Sequence, residues 1–185
     1  QLRAQSELFV TRAEVEQVRL EARRDPLTRL GNRREVDDRW PALLAACRAG
    51  GKPLAVAMLD LDRFKQINDR FGHAVGDGVL VAMARLLREN TRAADLAARV
   101  GGEEFLLVLP DTDGERGLEI CERLRHCVAA YPWSTLADGL SVTLSIGVAF
   151  APPYDADVLT ARADAALYAA KIKGRNCVAV SGKAG

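Results

Sequence analysis

The sequence predicts an α+β domain, with helices packed on a largely antiparallel sheet and a separate helix at the N-terminus. Two observations carry most of that. The apolar runs Leu96–Val100 and Phe105–Leu109 are joined only by Gly101-Gly102-Glu103-Glu104, which makes them a directly connected hairpin. Strand-length apolar runs also alternate with segments of helical periodicity, so helices must cover the sheet. From Gln1 to Arg24 the chain is polar and lacks Gly and Pro, with Leu8, Thr11, Val15, Val18 and Ala22 spaced by three and four, a heptad-like helix. Asp25-Pro26 is expected to stop it, because the residue before proline avoids the α region, and Gly31-Asn32 adds turn chemistry. A helix over about 34–48 leads to a strand over 54–60. Next come a helix over about 77–90, the hairpin, whose consecutive glycines are expected to supply positive φ, and a helix over about 115–129. A β-rich run over 141–150, a helix over 157–173 and a last strand over 177–180 complete the order.

Composition narrows the function. The 185 residues are 49% apolar and 28% charged, enough for one globular core plus an appended segment. Twenty-six basic and 25 acidic residues leave a net charge of +1, so no global field gathers nucleic acid or an anionic membrane, and any phosphate binding must be local. Cys47, Cys121, Cys127 and Cys177 lie far apart with no C-x-x-C pair, which argues against zinc and a disulfide framework and for reduced core residues in a cytosolic domain. No stretch has the apolar length of a membrane span and no signal peptide is visible; because the chain begins at Gln1, it is expected to belong to a longer protein.

The chemistry concentrates at one end of the expected sheet. Glu103 and Glu104 sit on the hairpin turn, and Asp60 closes the run Leu54–Leu59, so a neighbouring strand delivers a third carboxylate to the same end. Clustered hard oxygen ligands suit Mg²⁺ carrying a phosphorylated substrate; taken alone, the turn reads first as a solvated hairpin bearing surface acids, and the rest of the chain overturns that.

Gly101-Gly102-Glu103-Glu104-Phe105 and the stretch Asp60-Leu61-Asp62-Arg63-Phe64-Lys65 through Gly76-Asp77 resemble the GGDEF family of diguanylate cyclases. The resemblance runs almost end to end, through Asp25-Pro26-Leu27-Thr28, Asn32-Arg33-Arg34, Ser145–Ala149, Ala165–Lys171 and Gly174-Arg175-Asn176. It implies a palm-like fold, shared with polymerases and nucleotidyl cyclases, and condensation of two GTP molecules into cyclic di-GMP. It further implies that the Asp60 side chain, the Leu61 carbonyl and Glu103 bind Mg²⁺, with Mn²⁺ as an alternative cation, and that Glu103 is the base for the attacking 3′-hydroxyl. Glu104 either joins a second metal or shapes the turn. Asp62, two residues from Asp60, either supports the site from behind or caps the following helix. The resemblance also implies that Lys65 neutralises the reacting phosphate, where by type it would be an ordinary exposed lysine at a helix start, that Lys171 and Arg175 hold the terminal phosphates, and that Phe64 lends backbone contact while its ring belongs to the core. By their types alone, Lys171 and Arg175 read first as complements to a helix C-terminus.

Asn68, His73 and Asp77 resemble the family's guanine-side residues. A carboxylate accepts from guanine N1–H and its exocyclic amine together, a donor pair that adenine lacks. Arg92-Ala93-Ala94-Asp95 matches the family's inhibitory product site, to which Arg123 would contribute; read alone, an Arg-x-x-Asp tetrapeptide is a common surface ion pair. The expected whole is a product-inhibited homodimer in the cytoplasm, its two GTP sites facing one another and its N-terminal stripe coupling a sensor domain outside this chain to the catalytic unit. A receptor without activity, another nucleotidyl cyclase and a nonenzymatic interaction module are the other readings. Intact Asp60, Lys65 and Glu103 count against the first of these.

Overall fold

The structure, a computed structural model, describes the backbone of residues 2–182 and side chains from residue 11 onward. Helix α1 (Leu2–Glu21) precedes α2 (Arg33–Ala49), β1 (Leu54–Leu61), α3 (Phe64–Phe71), α4 (His73–Glu89), β2 (Leu96–Arg99) and β3 (Glu104–Pro110). Then come α5 (Gly114–Ala130), β4 (Leu144–Ala151), α6 (Ala156–Lys173) and β5 (Val178–Val180). The strands form one sheet in the order β2-β3-β1-β4-β5, antiparallel throughout except for the β4/β5 pair. This is the expected α+β architecture, with helices on both faces.

Strand β1 is central and wholly buried, and its period of two assigns each residue to a face. Ala55, Ala57, Leu59 and Leu61 pack with Ile67, Val79, Met83, Ile120 and Leu124, the inner faces of α3, α4 and α5. Leu54, Val56 and Met58 pack with Trp40 and Leu44 of α2 and with Leu159, Ala163 and Leu167 of α6. Gly147 permits that second layer: a Cβ there would collide with the α6 backbone at Ala163 and Leu167.

Four expectations need correction. Helix α4 starts at His73, not Asp77, because Gly72 at φ 88° turns the chain sharply between α3 and α4; Asp77 therefore lies in the second turn and is not an N-terminal acid. Neither Gly101 nor Gly102 takes a left-handed φ. The connection is closed more loosely, with both Val100 N–H and Gly101 N–H donating to the Glu104 carbonyl, so the strain of a two-residue turn never arises. Strand β4 starts at Leu144, paired with Leu61 at the end of β1; beyond it only one backbone bond, from Asp62 N–H to the Thr143 carbonyl, is made between the two segments among the described residues. Helix α1 ends at Glu21, short of Asp25-Pro26, because Asn32 ties off both neighbouring helix ends: its Nδ2 donates to the Ala22 carbonyl at 2.8 Å while its Oδ1 accepts from Glu35 N–H at 3.1 Å.

Candidate active site

The period-two alternation that buries Met58 and Val56 against α2 and α6 puts Asp60 on the same face, buried near the end of the strand. In register directly opposite stands Glu104, the first residue of β3. Lys171, in the last turn of α6, reaches across β4 and places Nζ 2.5 Å from Asp60 Oδ2. Burial pushes the Asp60 carboxyl above the ordinary carboxylate range, the Lys171 ammonium pulls it back through its hydrogen bond and charge, and Glu104 and Asp62 push it up again.

Glu103 lies on the turn itself, and its carbonyl accepts the Leu61 N–H at 3.3 Å, which fixes its backbone beside the end of β1. The donor set of Asp60, the Leu61 carbonyl, Glu103 and Glu104 is all oxygen and fits a hard divalent cation. Among the described residues no group of three acidic, His or Cys side chains is poised to hold a metal alone, so phosphate or water oxygens would have to complete any such site.

Past β1 the chain turns through Arg63, at φ 55°, into α3. Arg63, not Asp62, occupies the cap position, and no side chain caps the helix there. Asp62 is instead buried and accepts from Thr143 Oγ1, Ser145 Oγ and Asn176 N–H. The Phe64 ring belongs to the core, as expected, and leaves Lys65 exposed on the outer face. Asn68 leans across to α4: a Cβ on Gly76 would overlap Asn68 Oδ1, so the missing side chain makes its seat. Asp77 follows Gly76 and is exposed, as is His73 at the first turn. The three expected guanine-side residues thus share the α3–α4 corner. Arg175 follows the glycine that ends α6, at φ 63°, with its side chain in solvent.

The tetrapeptide Arg92–Asp95 lies on the α4–β2 connection and closes on itself. Asp95 is buried and accepts from Arg92 N–H at 2.7 Å and from its guanidinium at 3.3 Å, while the same guanidinium reaches the Pro110 carbonyl and Thr112 Oγ1. Arg123 on α5 donates to the side chain and carbonyl of Asn90, two residues from Arg92, so the three expected product-site residues meet at one edge of the sheet.

Arg99 is the side chain that motif reading missed. On β2 it bridges Asp25, in the segment after α1, at 3.3 Å and the Gly102 carbonyl on the acidic turn at 2.9 and 3.0 Å. Its position two residues before Gly101 was the available signal, though spacing alone does not reveal a partner 74 residues away. Burial raises the Asp25 carboxyl, but the Thr28 hydroxyl and N–H and the Arg99 charge together take it below the ordinary range.

This geometry can be set beside known proteins. A diguanylate cyclase, GGDEF domain model matches residues 22–177. Diguanylate cyclase DgcP of Pseudomonas aeruginosa is 44% identical over 168 residues, covering 90% of this chain and 25% of that protein. The response regulator PleD of Caulobacter vibrioides is 46% identical over 165 residues, covering 86% of this chain and 36% of that protein. The chain therefore spans about a quarter to a third of the length of these curated relatives. Among solved structures, the coiled coil and GGDEF domain of DgcB from Caulobacter crescentus, in complex with c-di-GMP, superposes with a TM-score of 0.89 at 34% identity, over 97% of this chain and 96% of that one. Motif order, sheet topology and the matched span agree, and the chain belongs to the diguanylate cyclase GGDEF domain family.

Proposed function

We propose that this domain condenses two GTP molecules into cyclic di-GMP and releases two pyrophosphates, each of two facing subunits supplying one nucleotide. The observation that carries the reading is the buried Asp60, in register with Glu104 and ion-paired to Lys171, while Lys65 and Arg175 are exposed cations. Asp77 and Asn68, with His73 near them, receive the guanine. Lys65 faces the reacting α-phosphate, and Lys171 and Arg175 take the terminal phosphates as charge-assisted donors. The 3′-hydroxyl of one nucleotide attacks the α-phosphorus of the other, the bond to the β-phosphate oxygen breaks, and Glu103 accepts the hydroxyl proton; the reciprocal attack closes the ring. The family is generally metal-dependent, and Mg²⁺ or Mn²⁺ held by Asp60, the Leu61 carbonyl, Glu103 and Glu104 would neutralise phosphate charge. Chromatography of GTP incubated with the protein and Mg²⁺ tests this: cyclic di-GMP and pyrophosphate are expected, and untouched GTP with product-free protein would refute it.

Regulation follows the same logic. Cyclic di-GMP binds at Arg92, Asp95 and Arg123 and slows the enzyme, as product complexes of relatives support. Residues 11–20 of α1 are all exposed, Val15 by 47% and Val18 by 69%, which supports a two-stranded parallel coil with a second copy over a helix packed on its own domain; the Leu8 side chain of that stripe lies outside the described residues. The matching structure that contains a coiled coil supports the same reading. Val15→Glu with Val18→Glu should lower the rate per subunit, with recovery at higher protein concentration, as sedimentation and rate measurements would reveal. Among the described residues no helix is long and apolar enough to cross a membrane, and we place the reaction in the cytoplasm, where GTP is available, under a sensor carried elsewhere in the full protein.

A further inference from the structure

The turn after α6 is built from strained backbone. Gly174, Arg175 and Asn176 all have positive φ, at 129°, 63° and 46°, and the last two are residues with a Cβ, for which this region is unfavourable. Such a conformation persists only where the surroundings impose it. Inside the domain, Asn176 N–H donates to Asp62 Oδ2 at 3.0 Å. Outside it, Arg125 on α5 donates to Asn176 Oδ1 at 3.0 Å, and Arg175 N–H returns to the Ala170 carbonyl at 3.1 Å. Asp62 is itself held rigidly. Thr143 Oγ1 and Ser145 Oγ donate to it at 2.7 and 2.6 Å, so the buried carboxylate is satisfied by neutral donors and, among the described residues, pairs with no cation. It lies two residues beyond Asp60 on the same chain segment, which refers the turn carrying Arg175 directly to the strand end carrying the reaction.

We propose that Asp62, with Arg125 as an outer clamp, is the positioning residue for Arg175: together they impose the left-handed turn that aims its guanidinium at the terminal phosphates. This rests on the reading of Arg175 as a phosphate ligand. Asp62 acts only through the turn, so its loss should weaken binding of the phosphate tail and leave the base and α-phosphate alone. Asparagine at 62 can still offer an oxygen to the Asn176 N–H and should restore most of the function.

The test combines two measurements on the full chain, for wild type, Asp62→Ala, Asp62→Asn, Arg125→Gln, Arg175→Ala and the Asp62→Ala/Arg175→Ala double variant. Amide hydrogen exchange without nucleotide reads the anchor, and exchange across 174–177 should quicken in Asp62→Ala and less so in Arg125→Gln. Calorimetry with an α,β-methylene GTP analogue and with GMP reads the role. Asp62→Ala should weaken the analogue about three- to tenfold, as expected for loss of one buried hydrogen bond, and leave GMP unchanged. In the Arg175→Ala background the same change should add nothing. Equal weakening of GMP and the analogue, a persisting effect in that background, or unchanged exchange overturns the proposal while the reaction stands. Should Asp62→Ala fail to fold, Arg125→Gln, whose contact lies at the surface, carries the same pattern, and its absence is equally decisive. A wild type that binds neither nucleotide overturns the proposed reaction itself, and the positioning role with it.

Discussion

Two groups of side chains sit at opposite ends of the domain and are prepared in opposite ways. Around the end of β1, Lys65, His73, Asp77 and Arg175 are exposed, while Asp60 and Lys171 are joined to each other. At the edge of the sheet, Arg92 is bound to Asp95, Pro110 and Thr112, and Arg123 is spent on Asn90. A ligand arriving at the first place finds donors and acceptors waiting, whereas at the second it must exchange contacts that already exist. On the proposed function, the difference suits a site that must bind and release substrate repeatedly and another that should respond only once product accumulates.

The largest effect should come from Asp60, the one buried charge in the open group. Asp60→Ala should lower turnover at least about 100-fold with the fold retained, measured as cyclic di-GMP formed per subunit. A folded variant with near-native turnover would remove Asp60 from the chemistry. Base choice is next. Asp77→Ser should narrow the preference for GTP over ATP by about 1–3 kcal/mol, measured as a ratio of kcat/KM, because only the carboxylate matches guanine's donor pair. An unchanged ratio assigns the base to another residue.

At the tied end, Arg92→Ala should raise the inhibitory concentration of cyclic di-GMP about tenfold or more and leave the initial rate intact. Arg123→Ala should do the same more weakly, since it meets the loop through Asn90. If both variants keep native calorimetric affinity for product, the two ends do not divide the work as argued.

The smallest effect sharpens the comparison through pH. Asp25, tied to Thr28 and Arg99, has a lowered carboxyl pKa, so its contribution to stability is present above the ordinary carboxylate range and is lost as pH falls through the lowered value. Asp60 is raised, so its charge weakens the metal-free fold as pH rises through that range. Thermal melts without metal should therefore find Asp25→Asn less stable than wild type at neutral pH and Asp60→Asn at least as stable, with both differences shrinking in acid. Parallel curves for the two variants would refute the contrast.

Much of this was legible in the chain. The central strand, the hairpin and the order of helices follow from periodicity, because a strand buried on both faces must be apolar along its length and a helix covering a sheet must repeat its apolar residues every three or four positions. Element boundaries near glycine were less legible. Gly72 breaks what would read as continuous chain before Asp77, while Gly101 and Gly102 need no unusual conformation, and composition does not separate these uses.

Types and spacing of residues alone determined that Asp60, Glu103 and Glu104 cluster at one sheet end, charged where packing asks for no charge, whereas Lys65 and Lys171 stood out only through the family resemblance. Only the tertiary structure decided whom each one meets. Asp60 faces Glu104 because β1 and β3 pair in one register and not its neighbour, and it meets Lys171 because α6 crosses β4 over a glycine. Asp62, open in sequence between supporting the site from behind and capping a helix, makes no cap and instead accepts from a backbone N–H 114 residues away. Hydrogen bonds of such sequence separation depend on the folded positions of several elements at once, and local sequence patterns hold only the part of that information that lies within a single helix or strand.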